Sequence, residues 1–318
     1  MLTREVLKTV TRSWDLELLR PRYDIPIAGS PERCLFRVVV EEIEGRLYIL
    51  EQIDPRSLPQ KHRIAHTLNL LHLRGLQTVR PYLSGRRSEF IARIPEGDWQ
   101  IAPYISGVEL SRPGYAVEAW RGEVLAEFLM ALRAKTREGL PDYSGSRPFS
   151  LPAFIEDLMH RLQRHDPEVY RRVLAAWRHL KLGWTAAHDQ TPTAFCHGDF
   201  HPLNVVWTKD GIACVIDWEF SGYKREPYDA ANLIGCIGME HPRYLTGALV
   251  ISFIERLKLG QFLNPSGWDH LIDFIQALRF AWLSEWLRKS DAEMIDLECR
   301  YIQILGERRD YLKQAWGL

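Results

Sequence analysis

Cysteine is scarce in this chain, with five residues in 318, and no two of them form a Cys-x-x-Cys pair. Disulfide frameworks and zinc sites both draw on closely spaced cysteines in regular patterns. The cysteine content therefore argues against both kinds of site. We expect a protein with reduced thiols that works in the cytoplasm.

An excess of either charge is also lacking, because 41 basic residues are balanced by 41 acidic ones. Domains that bind nucleic acid or an anionic membrane carry a basic excess, so neither partner is predicted. One of the longest apolar runs, Ala248 to Ile254, is far shorter than a membrane span. The N-terminus lacks the charged-then-apolar layout of a secretory signal. The length allows two lobes or domains.

The most informative stretch is His-Gly-Asp-Phe-His-Pro-Leu-Asn at 197–204, followed by Ile-Asp-Trp-Glu at 216–219. Apolar, β-prone residues on both sides of Lys-Asp-Gly at 209–211 predict a hairpin between them. Phosphoryl transfer from a nucleotide needs a carboxylate that deprotonates the acceptor hydroxyl, and oxygen ligands for magnesium. Asp199, Asn204 and Asp217 supply these groups. A single Asp or Asn in a loop is usually a turn former or a helix cap, but the constrained spacing favours the chemical interpretation.

This pattern resembles the aminoglycoside phosphotransferase and choline kinase superfamily, small-molecule kinases with the protein-kinase fold. The resemblance extends from about Tyr23 to about Leu305, and only the segment from His197 to Gly235 is highly specific. It implies an α+β, two-lobed protein-kinase-like fold, with a small antiparallel β-sheet lobe plus one helix and a larger, mostly helical lobe. The implied division is an ATP-binding lobe at 1–102, a hinge at 103–107, and a helical lobe with the catalytic loop and acceptor site at 108–318.

Local patterns agree with this order of elements. In the first lobe they predict a hairpin from two runs at 34–40 and 46–50, a helix at 60–74, and a second hairpin at 89–102 around Glu96-Gly97-Asp98. In the second lobe helical periodicity predicts helices at 119–135, 151–164, 167–187, 229–239, 242–259, 268–288 and 291–314, arranged around one hairpin. A loop is predicted from 139 to 150.

The resemblance assigns a role to each polar residue of the motif. Asp199 is the expected catalytic base, and Asn204 and Asp217 are the expected magnesium ligands. His197 and His201 are expected to brace the loop. Asp229, at the start of the next helix, is expected to support the same loop.

The expected cofactors are ATP or GTP together with Mg2+, and the expected partners are this nucleotide and a small-molecule acceptor. The candidate nucleotide-binding residues are Ser30, Arg37, Pro103, Ile105, Val206 and Ile216. Ser30 lies in a turn that would cover the phosphates, with an ordinary surface turn as the alternative. Arg37 is a candidate phosphate contact or a solvated residue of a strand. For Val206 and Ile216 packing in the core is an equal alternative to contact with the adenine.

One departure from the family pattern bears on activity. The phosphate-binding lysine of the family lies on the strand at 48–52, and the matching position holds Glu51. The glutamate expected on the following helix is also missing, because the matching turn at 63–66 reads Arg-Ile-Ala-His. The pair is therefore lost, or reversed into a pair of Glu51 with Arg63 or Lys61. Two interpretations stay open: an active kinase with a relocated cation, which the intact Asp-Asn-Asp set favours, or a pseudokinase-like nucleotide-binding protein with little or no transferase activity.

The acceptor is expected to carry a hydroxyl group, as an amino alcohol, a sugar or an aminoglycoside does. The candidate acceptor-site residues are Glu219, Tyr223, Trp282 and Glu285. Aromatic rings beside a carboxylate suit an amino or quaternary ammonium alcohol. The alternative for Trp282 and Trp286, which are four residues apart, is packing within the helical core. The oligomeric state stays open, with a homodimer as one option.

Overall fold

The computed structural model describes residues 3–27, 34–85, 89–143 and 148–318. The chain forms two compact units, each assembled from three segments. Unit 1 comprises Met1–Glu109, Lys135–Ser144 and Leu203–Phe220, and unit 2 comprises Leu110–Ala134, Gly145–Pro202 and Ser221–Leu318.

Within the described residues, unit 1 is built on a five-stranded antiparallel sheet with the strand order β1-β2-β3-β5-β4. The strands are β1 (Leu18–Arg22), β2 (Phe36–Glu42), β3 (Leu47–Ile53), β4 (Ile91–Ile94) and β5 (Gly97–Pro103). The two predicted hairpins are confirmed. The turn of the second lies at Pro95-Glu96, slightly earlier than predicted, because Gly97 already pairs with Ile94.

The two faces of this sheet differ in character because successive side chains of a strand point to opposite sides. One face is apolar: Val38, Leu50 and Trp99 are buried there with residues of α1 (Arg4–Thr11) in a single core. The other face carries polar side chains in the register, with Arg37 opposite Glu51 and Glu51 opposite Gln100. The helix that follows β3 is α2 (Leu58–Leu73), which confirms the helix predicted at 60–74.

A third antiparallel hairpin belongs to unit 1 and consists of β7 (Val205–Trp207) and β8 (Ile212–Val215). It confirms the hairpin predicted around 209–211. The Val215 N–H donates to the Thr78 carbonyl (2.9 Å), and Val108 pairs with Trp207, so the hairpin is tied to the N-terminal segment. A 3-10 turn, Trp218–Phe220, follows β8. The hinge predicted at 103–107, with its division into functional lobes, stays a prediction.

Unit 2 is mostly helical. Its helices are α3 (Ala119–Thr136, whose last two residues belong to unit 1), α4 (Leu151–His165), α5 (Pro167–His179), α6 (Thr185–Gln190), α7 (Tyr228–Glu240), α8 (Ala248–Leu259), α9 (Pro265–Asp269), α10 (Leu271–Lys289), α11 (Ala292–Glu307) and α12 (Arg309–Trp316). A two-stranded antiparallel ladder joins β6 (Thr193–Cys196) to β9 (Gly222–Arg225). Across the described residues no helix has the length and apolar character that a membrane span requires.

Several predicted helices are subdivided. The helix expected at 167–187 is interrupted by a π-helical segment, Leu180–Trp184, which separates α5 from α6. The helix expected at 242–259 opens with a 3-10 segment, Pro242–Thr246, and α8 begins only after the extended residue Gly247. The prediction of one hairpin beyond the hinge was incomplete, because the described residues contain both the β6–β9 ladder and the β7–β8 hairpin.

Candidate active site

The His-Gly-Asp loop follows β6 and is held by a buried carboxylate. Asp229, in the first turn of α7, accepts hydrogen bonds from the backbone N–H groups of His197 (2.7 Å) and Gly198 (2.8 Å). Gly198 has φ of +86°, a left-handed conformation that glycine adopts without strain. Burial raises the pKa of Asp229, and His197 and the two N–H donors partly offset this increase. The predicted supporting role of Asp229 is confirmed by these bonds.

Asp199 lies at the centre of this loop with 15% of its side chain exposed. Its backbone N–H donates to Nδ1 of the buried His197 (3.2 Å), and its Oδ1 lies 3.6 Å from Nε2 of His201. Asn232 of α7 donates to the Phe200 carbonyl (3.3 Å), which fixes the next residue of the loop. The loop therefore presents a carboxylate on an immobilised backbone, as general-base chemistry requires.

Asn204 and Asp217 lie at the same end of the β7–β8 hairpin in unit 1. The Ile216 N–H donates to the Asn204 carbonyl (3.0 Å), one position beyond the Val205–Val215 pair of the ladder. Asp217 follows with φ of +62°, a left-handed conformation that Asp and Asn tolerate better than other side chains. An amide oxygen and a carboxylate are the hard ligands that Mg2+ takes alongside nucleotide phosphates and water. The donor set therefore fits a magnesium–nucleotide complex.

The hydrophobic nucleotide-contact candidates lie in two neighbouring segments of unit 1. Val206 and Ile216, in or next to the hairpin, and Pro103 and Ile105, at and beyond the end of β5, are all half-buried. Gly107 brings the segments close, since a Cβ atom there would lie 2.6 Å from Cγ1 of Val206. The structure thus places the segment that follows β5 next to Val206.

Ser30 lies outside the described residues, together with most of the turn that was predicted to cover the phosphates.

Glu51 is held across the strands of the sheet. Nε of Arg37 lies 3.5 Å from its Oε1, and the Gln100 amide donates to its Oε2 (2.6 Å). Of the two ion-pair partners suggested by the sequence, Arg63 is exposed and Lys61 binds a different carboxylate. The ion pair formed by Glu51 is with Arg37, which sequence analysis had considered as a phosphate contact.

Lys61 of α2 is buried, with 4% of the residue exposed, and its Nζ lies 2.7 Å from Oε1 of Glu219. The neighbouring Gln60 donates to the Glu219 backbone carbonyl. Burial lowers the pKa of the Lys61 ammonium, but Glu219 and Glu51 outweigh this effect, so the net pKa is raised and the lysine stays charged. Sequence reasoning missed this residue as a site candidate.

Tyr82 lies within electrostatic range of both charged groups of unit 1. Burial raises the pKa of its phenol well above the usual range, and the negative charges of Glu51, Glu219 and Asp217 raise it further. The same carboxylates therefore act on one hydroxyl group. Glu51, Glu219 and the candidate metal ligand Asp217 belong to a single electrostatic cluster, together with Lys61.

Because Glu51 is paired with Arg37, Glu51→Lys is expected to destabilise unit 1 rather than to create a phosphate contact. The new ammonium would lie opposite Arg37 and close to Lys61, so we expect a loss of about 1–3 kcal/mol of stability without tighter ATP binding. Melting temperature and ATP affinity measured on the same variant test this. Glu51→Gln, which adds no cation, is the control. Tighter ATP binding with unchanged melting would instead show that position 51 is a vacated phosphate site.

Among the acceptor-site candidates, Trp282 of α10 lies next to the His-Gly-Asp loop within unit 2. Its indole N–H donates to Oδ1 of Asn232 (3.3 Å), and its ring centre lies 6.3 Å from that of His201 in an edge-to-face arrangement. It also stacks on Trp286 at 5.8 Å. Through Trp282 and Trp286, α10 therefore packs beside the loop that carries the candidate base.

The other acceptor-site candidates have different surroundings. Glu219 belongs to unit 1 and binds Lys61. The ring of Tyr223 packs edge-on against Phe195 of the paired strand, at 5.9 Å. Glu285 is held by Arg288 and Lys289 of its own helix; the hydrogen bond from Arg288 is the main cause that lowers the pKa of Glu285 to about 2. Its carboxylate is therefore already neutralised by neighbouring cations.

A buried ion pair lies beside Trp282. Arg279 of α10 donates through two nitrogens to the two carboxylate oxygens of Glu298 on α11 (2.6 and 2.7 Å), and both side chains are almost inaccessible to solvent. Trp286 donates to the same carboxylate (3.2 Å), and the guanidinium lies 5.5 Å from the Trp282 ring centre. The pair thus orders both tryptophans.

Comparison with known proteins gives one family. The family model described as "Phosphotransferase enzyme family" matches residues 32–271. Among curated proteins, a homoserine kinase of Methylocella silvestris is 26% identical over 197 residues, which is 59% of this chain. That match spans only 57% of the length of the homoserine kinase.

Solved structures resemble this chain over nearly its whole length. An aminoglycoside phosphotransferase from Alicyclobacillus acidocaldarius superposes with a TM-score of 0.65 at 14% identity and covers 100% of this chain and 98% of its own. An amicoumacin kinase in complex with AMP-PNP, Ca2+ and Ami superposes with a TM-score of 0.67 at 14% identity, covering 96% of this chain and 94% of its own. These similarities show that the predicted protein-kinase-like fold is correct.

Proposed function

The chain belongs to the phosphotransferase enzyme family, and from that premise we propose that it is a kinase acting on a small molecule. It transfers the γ-phosphate of ATP or GTP, as a magnesium complex, to a hydroxyl group. The observation that carries this proposal is the presence of a held Asp199 loop together with the oxygen donors Asn204 and Asp217. Phosphoryl transfer asks little more of a protein than such positioning and charge stabilisation.

Unit 1 supplies the groups for the nucleotide in this proposal. Asn204 and Asp217 hold Mg2+, which when bound neutralises charge on the phosphates. The half-buried candidates Pro103, Ile105, Val206 and Ile216 provide an apolar surface for the base. The amicoumacin kinase relative binds AMP-PNP and Ca2+, which supports use of a nucleotide and a divalent cation.

Unit 2 supplies the base. The Asp199 carboxylate accepts a hydrogen bond from the acceptor hydroxyl and takes its proton as the new bond from oxygen to phosphorus forms. Its exposure of 15% leaves an oxygen accessible, while two hydrogen bonds restrict the loop: the Asp199 N–H donates to His197, and Asn232 donates to the Phe200 carbonyl. His201, 3.6 Å away, orients the carboxylate rather than reacting itself.

The acceptor class that best fits unit 2 carries an amino group as well as a hydroxyl. Trp282 places an aromatic ring next to the His-Gly-Asp loop, and aromatic rings interact favourably with cations. Homoserine, the compound in the name of the similar homoserine kinase, carries both an amino group and a hydroxyl group. A second candidate function, nucleotide binding without phosphoryl transfer, is favoured by one observation, the glutamate at position 51.

Purified protein is expected to melt at a higher temperature with magnesium and ATP or GTP. A ligand that binds only the folded state at about a hundred times its Kd adds about 2.7 kcal/mol of stability. EDTA should remove the shift, and Asp217→Asn should reduce it. The absence of a shift with either nucleotide would refute both candidate functions. A panel of amino alcohols, sugars and aminoglycosides, assayed for nucleoside diphosphate release, then separates a kinase from a binding protein.

A further inference from the structure

The charges of β3 and α2 differ from the pattern that the family resemblance implies. A lysine is expected on the strand and a glutamate in the helix turn at 63–66, but the strand carries Glu51 and the helix carries Lys61, two residues before that turn. We propose that Lys61 is the cation that contacts the nucleotide phosphates in this chain, with Glu219 as the carboxylate that positions it. This inference rests on the proposed function and concerns the same site.

The position of Lys61 supports this assignment. Its Nζ is fixed 2.7 Å from Oε1 of Glu219, which follows the candidate metal ligand Asp217 by two residues. Gln60 donates to the backbone carbonyl of the same glutamate, so two successive residues of α2 hold this segment. Lys61 is therefore ion-paired with the segment that would hold the metal of a magnesium–nucleotide complex.

The charge of the cluster also supports it. Burial raises the pKa of the Tyr82 hydroxyl, and the carboxylates of Glu51, Glu219 and Asp217 raise it further; among the described residues Arg37 is paired with Glu51 and Lys61 with Glu219. A region rich in carboxylates suits a phosphate group that arrives with its own divalent cation. Of the two protein cations, the guanidinium is placed against Glu51 by the strand register.

The burial of the Lys61 ammonium group is a further argument for a contact with phosphate. Removing an ammonium group from water costs free energy, and a buried ion pair is often no more stabilising than apolar residues of similar volume. Lys61 and Glu219 lie 158 positions apart in the sequence. Stability alone therefore does not explain why this charged pair is present. A compact ammonium held by a carboxylate is suited to a phosphate, which it contacts as a point charge.

The test uses four variants of the full chain: Lys61→Gln, Glu219→Gln, the double variant, and Arg63→Gln as an exposed control on the same helix. Melting temperature and the affinities for magnesium–ATP and for adenosine are measured by calorimetry. Lys61→Gln is expected to weaken ATP binding about ten- to a hundredfold and to leave adenosine binding unchanged, because adenosine has no phosphate. It should also lower the melting temperature, because Glu219 loses its partner.

The double variant separates a phosphate contact from a structural pair. Removing both charges should restore the melting temperature, since no buried charge is left unpaired, while ATP binding stays weak. Recovery of wild-type ATP affinity in the double variant would show that Lys61 is only structural and would overturn the inference. A wild-type protein that binds neither ATP nor GTP would refute the proposed function itself, and the inference would fall with it.

Discussion

Asp199→Asn is expected to lower kcat about a hundred- to ten-thousandfold while changing the affinity for magnesium–nucleotide by no more than about twofold. The amide keeps the size of the side chain and leaves the backbone bond to His197 in place. It no longer accepts the proton of the acceptor hydroxyl. Single-turnover rates and nucleotide affinity, measured on the same preparation, test both parts of this expectation.

Asp210→Asn is the matched control, because Asp210 is an exposed aspartate in the turn between β7 and β8. It should leave both quantities unchanged. Retention of near-full turnover in Asp199→Asn would show that another group takes the proton, and His201 would be the next residue to test. If Asp199→Asn weakened nucleotide binding but left the rate of phosphoryl transfer unchanged, Asp199 would instead be a metal ligand.

Arg279→Met is expected to lower the free energy of unfolding by about 3–5 kcal/mol, because it leaves the carboxylate of Glu298 buried without its cation. The completely inaccessible Glu298 cannot recover its hydration without opening the packing of α10 against α11. Urea unfolding followed by fluorescence measures the loss, and the nearby tryptophans report the same region.

The double variant Arg279→Met/Glu298→Met should regain most of this stability, since apolar residues of similar volume replace a buried pair at little cost. Arg300→Gln removes a surface ion pair of α11 and serves as the control, with an expected loss below about 1 kcal/mol. A loss in Arg279→Met as small as in the control would mean that the pair contributes nothing to the stability of the helical unit.

Elements whose own residues show a clear period were predictable. The hairpin of β2 and β3 follows from two runs of β-branched and apolar residues, and α2 from apolar residues at helical spacing. The hairpin of β7 and β8 follows from its Lys-Asp-Gly turn. In each case the signal lies within about 20 residues, so local propensity and tertiary packing favour the same structure.

The elements that sequence analysis missed depend on distant partners. Strand β1 contains two arginines and a proline and has no alternating pattern, and it forms because β2 offers it an edge. Strands β6 and β9 are separated by 25 residues that contain the β7–β8 hairpin, so no turn joins them directly. The interruption at Leu180–Trp184 likewise leaves no mark on the helical period of the sequence.

The candidate site shows the same division. The residues of the His-Gly-Asp loop were predictable because their spacing is itself the motif, and Asp229 lies where an Asp at the start of a helix was expected. The pair of Lys61 with Glu219 was not, since it joins residues 158 positions apart. One signal was present: Lys61, Ala65 and Leu68 recur at helical spacing on the buried side of α2. A lysine on that side is rarely accidental.

The charges of β3 and α2 also limit how this protein can evolve. A lineage that gained lysine at position 51 first would collect three cations around Arg37 and Lys61, and one that gained glutamate at position 61 first would crowd it against Glu51 and Glu219. Either intermediate confines like charges in a buried region and loses stability. The present arrangement and the alternative, with lysine at position 51 and glutamate at position 61, are thus separated by less stable intermediates. Among descendants of this chain, positions 51 and 61 are expected to change together or not at all.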